Sequence, residues 1–188
     1  MKEILKLGAI LLTITAVCSG LLGLVSNITE PLIAERKVET AKQAIQKLLP
    51  AADEVIELKE IDESEILLLY IAKNQGQYIG TVAKVAPSGY GGAIELLVGV
   101  DKEEKITGIE ILTHAETPGL GANMTKESFR GQFAGKTKGM VVVKGEAGDN
   151  EISAITGSTI TSQAVTIGVN KAVDYVIAHK EEFLKEGK

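Results

Sequence analysis

Seven hydroxyl side chains crowd residues 153–169, "SAITGSTITSQAVTIGV", which hold four threonines and three serines. From Thr161 onward Val165, Gly168, Val169, Ala172, Val173, Val176 and Ile177 recur at intervals of three and four, so the spacing predicts a helix with one apolar face. Ser162, Thr166, Asn170 and Asp174 take the other face. A helix start leaves backbone N–H groups without partners, and one Ser or Thr oxygen is enough to cap them. Thr156, Ser158, Thr159 and Thr161 therefore exceed what a cap requires, and Gly157 lets the backbone approach whatever lies there. N–H donors, the positive end of the helix dipole and nearby hydroxyls together make an anion site, and phosphate is the usual anion. An over-decorated cap is the plain alternative.

Two glycine-rich segments offer further chemistry. "SGYGGA" at 88–93 sets three glycines around Tyr90, a backbone able to bend tightly or to lie against a flat ligand. "HAETPGLGAN" at 114–123 brings His114, Glu116 and Thr117 beside a Pro118-Gly119 turn pair. Read separately, each is also explained by turn chemistry alone.

Composition removes several classes. Twenty Lys and Arg against 25 Asp and Glu leave a net charge of −5, the wrong sign for a nucleic-acid surface. The single cysteine, Cys18, and two distant histidines, His114 and His179, argue against a disulfide framework and against a Cys- or His-based metal site. With no Trp, three Phe and four Tyr, a base-stacking platform is not expected either. No Gly-x-Gly-x-x-Gly follows a strand, so dinucleotide binding is not expected.

Residues 7–29, "LGAILLTITAVCSGLLGLVSNIT", carry no charge, and eleven of these 23 are Leu, Ile or Val. About 20 residues of helix cross a hydrocarbon core, and each such side chain contributes roughly −0.3 to −0.6 kcal/mol near its centre. The run is too long for a signal-peptide core and lacks a convincing cleavage site, so it reads as an uncleaved anchor. Lys2 and Lys6 before it balance Arg36 and Lys37 after it. A short basic N-terminus usually stays in the cytoplasm, which places residues 30–188 outside. Ala16 with Gly20, and Ser19 with Gly23, make small-xxx-small pairs that would admit a second membrane helix.

The rest must position the hydroxyls. Thr29 and Pro31 predict the start of a connecting helix whose Leu32, Val38, Ala41, Ile45 and Leu48 share a face up to Pro50. Alternating runs at 66–72 and 78–85, joined through Gly76, predict a hairpin, and runs at 93–100 and 106–112 around "DKEEK" predict another. A short helix from Thr125, a strand in "GMVVVKG" and a final helix over 161–184 complete an α+β domain, a mostly antiparallel sheet with packed helices. The division expected is an anchor over 1–29, a connecting helix over 30–50 and an extracytoplasmic domain over 51–188.

Taken jointly, "GYGGAIELLVGVD" at 89–101, "ITGIEILTHAETPGLGA" at 106–122, "ITGSTITS" at 155–162 and the anchor resemble the covalently flavinylated G subunit of the Rnf electron-transport complex. That family is similar to the C subunit of the sodium-pumping NADH:quinone reductase. Its flavinylation motif, Ser/Thr-Gly-Ala-Thr/Ser-x-Thr, stands here as Thr156-Gly157-Ser158-Thr159-Ile160-Thr161, with Ser158 in the usual Ala position. The resemblance implies FMN joined through its phosphate to Thr161 Oγ1 by a flavin transferase. Ser158, Thr159 and Ser162 would then donate to the phosphate, Thr117 and Leu120 would line the ring pocket, and Glu116, His114 and Tyr90 would make further contacts. It also implies an electron relay within a membrane complex that links ferredoxin to NAD and moves sodium ions or protons, with the soluble domain on the outer side of the cytoplasmic membrane. No catalytic or metal-ligating residue of its own is implied. Three alternatives stand beside it: the quinone-reductase C subunit, a non-redox anchored module for an anionic ligand or protein partner, and an enzyme using Thr161 or a serine as nucleophile, for which no recognisable base arrangement is present.

Overall fold

The computed structural model describes residues 2–58 and 66–186, with the backbone alone described at 28, 30–39 and 185–186. By contacts the chain divides into two units, 1–41 and 42–188.

The first unit is helix. Helix α1 (Lys2–Leu48) runs on through Thr29 and Pro31, where the sequence predicts a new start. The reason is local: Thr29 Oγ1 donates back to the Val25 carbonyl at 2.6 Å instead of capping a helix that begins there. Leu32 and Val38, two of the predicted face positions, fall where only the backbone is described. Lys2–Asn27 is long and apolar enough to cross a membrane, with a mean hydropathy of 2.2 and none of its most apolar window buried. Ile4, Leu5, Leu12 and Leu22 are each at least 70% exposed, an apolar surface that water would not tolerate over such a length.

The second unit is built on a five-stranded antiparallel sheet in the order β1-β2-β3-β4-β5. The strands are β1 (Glu54–Leu58), β2 (Ile66–Asn74), β3 (Gln77–Val85), β4 (Glu95–Asp101) and β5 (Ile106–Thr113). Both predicted hairpins form. Gln75 and Gly76 have φ of 50° and 76°, the two positive values that a tight two-residue hairpin turn needs. Strand β1, which pairs with β2 at the sheet edge, is not among the predicted elements.

Alternation along the strands sends side chains to two cores. On one face Leu69, Ile71, Ala83, Val85, Leu96, Val98, Val100 and Ile109 are buried in one cluster with Val165, Val169, Ala172, Val173 and Val176 of helix α3 (Thr159–Ala178). On the other, Ala72, Val82 and Leu97 pack with Ala44, Ile45, Leu48 and Leu49 from the end of α1. Helix α3 is thus held flat on the sheet. Gly168 lets α3 come close to the loop after β3, since a Cβ there would lie 2.6 Å from Pro87 Cγ.

Between β5 and α3 the chain forms a 3-10 turn at Gly121–Thr125, helix α2 (Glu127–Arg130) and a second 3-10 turn at Gly131–Phe133. The short helix predicted from Thr125 is therefore one turn, starting two residues later. The "GMVVVKG" strand forms as β6 (Val141–Val143), but it pairs in parallel with β7 (Glu151–Ser153) apart from the main sheet. The predicted final helix is two: His179 leaves helical geometry at φ −105°, ψ 9°, its ring stacks 4.0 Å from that of Tyr175, and helix α4 (Lys180–Glu186) follows.

Candidate functional site

Helix α3 starts two residues before the predicted Thr161, so Thr159 and Thr161 lie inside its first turn. Gly157, at φ +74°, turns the chain into it. None of the hydroxyls caps it in the ordinary sense: Ser158 occupies the N-cap position at φ −139°, ψ 46° and makes no side-chain cap bond. The first intrahelical bond runs from Ser162 N–H to the Ser158 carbonyl at 3.1 Å. Thr159, Ile160 and Thr161 precede it, so their N–H groups have no acceptor within the helix.

That turn borders a cleft of about 490 Å³ lined by Tyr90, Glu116, Thr117, Leu120, Gly121 and the 157–161 segment. This is the size of a small-molecule site. Three segments converge on it: the 88–93 loop, the 114–123 loop and the start of α3. The first is closed by Gly89 N–H to the Gly92 carbonyl at 2.8 Å and by Ile94 N–H to the Pro87 carbonyl at 2.9 Å. In the second, Leu120 N–H donates to the Thr117 carbonyl at 3.1 Å across the Pro118-Gly119 turn, with Gly119 at φ +79°.

At the floor of the cleft two polar residues are buried together. Thr161, 1% exposed, donates from Oγ1 to Glu116 Oε2 at 2.7 Å, and Glu116 is itself 6% exposed. The other carboxylate oxygen, Oε1, accepts from Gly91 N–H at 2.8 Å. Among the described residues no Lys or Arg pairs with Glu116. Burial pushes the carboxyl pKa up, but the donors Gly91 N–H, Thr161 hydroxyl and Tyr90 N–H, together with attraction from His114, outweigh it and hold it below its ordinary value. Hydrogen bonds supply most of that lowering, ahead of the attraction from His114.

Close packing encloses it. A Cβ at Gly121 would overlap Glu116 Oε2 and lie 2.8 Å from Thr161 Oγ1, and one at Gly89 or Gly91 would overlap Glu116 Oε1 or the Ala115 carbonyl. Sequence reasoning did not single out Gly121. Its signal was the Gly-Leu-Gly run, readable only once Glu116 and Thr161 are known to meet.

Eight of the eleven predicted contact residues line the cleft: Thr161, Thr159, Ser158, Gly157, Thr117, Leu120, Glu116 and Tyr90. Leu120 at 46% and Tyr90 at 73% exposure, with Ile160 at 56%, give its rim apolar surface. Ser162 does not reach it. Its hydroxyl is fully buried, donates to the Ser158 carbonyl at 3.0 Å and accepts from Ile155 N–H at 3.0 Å, which braces the turn instead of presenting a donor. Thr156 opens onto a neighbouring groove with Lys126, Gln132 and Ser153. His114 Nδ1 accepts Glu116 N–H at 3.2 Å and so supports the glutamate's backbone.

Residues 89–174, which take in the three converging segments except Ser88, match the model of the FMN-binding domain family. The fold is similar to that of the C subunit of the Na(+)-translocating NADH-quinone reductase from Parabacteroides distasonis, at a TM-score of 0.54 and 24% identity over 71% of this chain and 78% of that one. Sequence likeness is stronger elsewhere. The chain is 42% identical to the G subunit of the Na(+)-translocating ferredoxin:NAD(+) oxidoreductase complex of Acetobacterium woodii, over 92% of its own length and 91% of the relative's. It is 41% identical to the proton-translocating counterpart of Clostridium ljungdahlii over 88% of each chain. A cleft built at a helix start within an FMN-binding domain, and close likeness over almost the whole length, place this chain in the family of G subunits of Rnf-type ion-translocating ferredoxin:NAD oxidoreductase complexes.

Proposed function

We propose that the protein is the electron-carrier subunit of a membrane-bound ferredoxin:NAD oxidoreductase complex and holds FMN by a phosphoester between the flavin's phosphate and Thr161 Oγ1. The observation that carries the reading is the position of that hydroxyl: it is on the floor of a cleft, within the helical turn whose N–H groups lack acceptors.

The residues present fit the group. Thr159, Ile160 and Thr161 N–H, with the Ser158 and Thr159 hydroxyls, would hold the phosphate at the positive end of the α3 dipole. Leu120, Tyr90 and Ile160 give the rim the apolar surface a flat ring needs, and Thr117 adds a polar contact. Bound FMN supplies reversible electron uptake; the chain supplies attachment, orientation and electrostatic surroundings. Thr161 fixes the cofactor against loss, and Gly121 keeps the floor of the cleft open at the point of attachment.

Helix α1 would anchor the domain in the cytoplasmic membrane as a single span, with residues 30–188 outside, where the other subunits of the complex are neighbours. Tethering raises the effective concentration of the flavin near its redox partners. Attachment requires a flavin transferase. Likeness to a quinone-reductase C subunit rests on fold, whereas likeness to G subunits extends over the sequence, which favours the ferredoxin:NAD reading.

The test is a denaturing gel of the full chain made together with a flavin transferase. Flavin fluorescence should migrate with the polypeptide and be absent from Thr161→Ala. A dark wild-type band from a host whose transferase labels a control protein would refute the attachment.

A further inference from the structure

A carboxylate that is almost fully buried, with no Lys or Arg paired to it among the described residues and its own oxygen 2.7 Å from the Thr161 hydroxyl, is an expensive arrangement to keep for packing alone. Serine and threonine hydroxyls are weak nucleophiles until a base takes the proton. In phosphoryl transfer to a hydroxyl, that base is typically an acidic side chain that orients the oxygen and accepts its proton late in a loose transition state.

We propose that Glu116 is the base for the attachment of flavin to Thr161, so that the acceptor protein carries part of the catalytic apparatus for its own modification. This rests on the reading of Thr161 as the attachment residue. The donor class is a flavin dinucleotide, because a phosphoanhydride is needed to drive ester formation in water. Thr161 Oγ1 forms a bond to the flavin-side phosphorus, and the bond from that phosphorus to the bridging anhydride oxygen breaks. The nucleoside monophosphate leaves with that oxygen, and the Thr161 hydroxyl proton passes to Glu116 Oε2. Nothing is oxidised or reduced.

The geometry supports both halves of the role. Gly91 N–H holds Oε1 at 2.8 Å, leaving Oε2 aimed at Thr161, and Gly121 presents no Cβ that would come between them. The hydrogen bond sets the Thr161 hydroxyl proton on Glu116 Oε2, the atom that would take it. The titratable groups around Glu116 are His114 on its own loop and Tyr90 on the facing loop; α3 turns a hydroxyl toward it and the 3-10 turn a glycine.

The experiment measures the initial rate of flavin incorporation into the detergent-solubilised full chain by purified transferase and flavin dinucleotide, read by in-gel fluorescence and intact mass. Rates are taken below the thermal transition of each variant. Glu116→Gln keeps the shape and loses the base, so it is expected to label at least about 100-fold more slowly, within the 10²–10⁴ typical of general-base catalysis. Glu116→Asp, which retains a carboxylate, should label faster than Glu116→Gln. The wild-type rate should also fall on the acid side as the carboxylate protonates, a limb that Glu116→Gln lacks. Labelling of Glu116→Gln within threefold of wild type, or an aspartate variant no faster than the glutamine one, overturns the proposal while leaving the attachment at Thr161 intact. An unlabelled wild type overturns the attachment itself.

Discussion

Thr161 and Glu116, 45 positions apart in the chain, share a buried hydrogen bond of 2.7 Å between hydroxyl and carboxylate. One comes from the first turn of α3 and the other from the loop after β5, so the contact exists only when the helix is seated on the sheet. Its consequences for stability, pH response and modification can each be measured.

Thr161→Val removes the hydroxyl while keeping the volume. Glu116 Oε2 is then left buried without that donor, so unfolding should become easier by about 1–3 kcal/mol. Chemical denaturation of the detergent-solubilised chain with no flavin attached checks this, and an unchanged midpoint would show that water or another group replaces the bond.

Glu116 has its carboxyl held below its ordinary value in the folded protein, so it contributes stability that is fully present above the unfolded value and is lost as pH falls through the folded one. The difference in melting temperature between wild type and Glu116→Gln should therefore be largest near neutrality and shrink below about pH 4.3. A difference that grows on acidification would have the wrong sign.

Gly121→Ala places a methyl group against Glu116 Oε2 and Thr161 Oγ1. The neighbours must shift, at about 1–3 kcal/mol, and flavin incorporation should fall at least tenfold. Normal labelling by this variant would mean that the cleft floor is not where attachment occurs.

Gly168→Ala pits two effects against each other. Helix propensity alone favours alanine by about 0.8–1 kcal/mol, whereas a Cβ at 2.6 Å from Pro87 Cγ overpacks the contact between α3 and the loop after β3 by about 1–3 kcal/mol. Overpacking should win, and thermal denaturation should show a net loss of stability.

Ile14→Arg sets a charge near the middle of the apolar part of α1. The change is about 3–4 kcal/mol against insertion, so the variant should shift from the membrane to the soluble or degraded fraction on cell fractionation. Retention in membranes at wild-type level would argue that α1 is not the anchor.

How much of this was legible in the sequence follows physical range. Strands β2 to β5 were readable because both faces of the sheet are covered and their apolar runs are bounded by Gly76 and by "DKEEK". Strand β1 was not, since Glu54 and Glu57 break its alternation and it lies half-exposed at the edge. Pro31 predicted a helix start, since inside a helix it removes a backbone donor and crowds the carbonyl four residues back, yet α1 continues past it. At the site, the crowding of hydroxyls pointed to 156–162, and the motif resemblance picked out Thr161. Local sequence could not assign each hydroxyl its direction: Ser162, one residue on, points into the turn and braces it. The meeting of Glu116 with Thr161 depends on where α3 lands on the sheet, which no short window records.

The most direct measurement is intact-mass and peptide-map analysis of the full chain taken from its native membranes. The account predicts a polypeptide heavier by one FMN less one water, with the added mass on the peptide holding Thr161. A chain of unmodified mass, or flavin on any other residue, would contradict it.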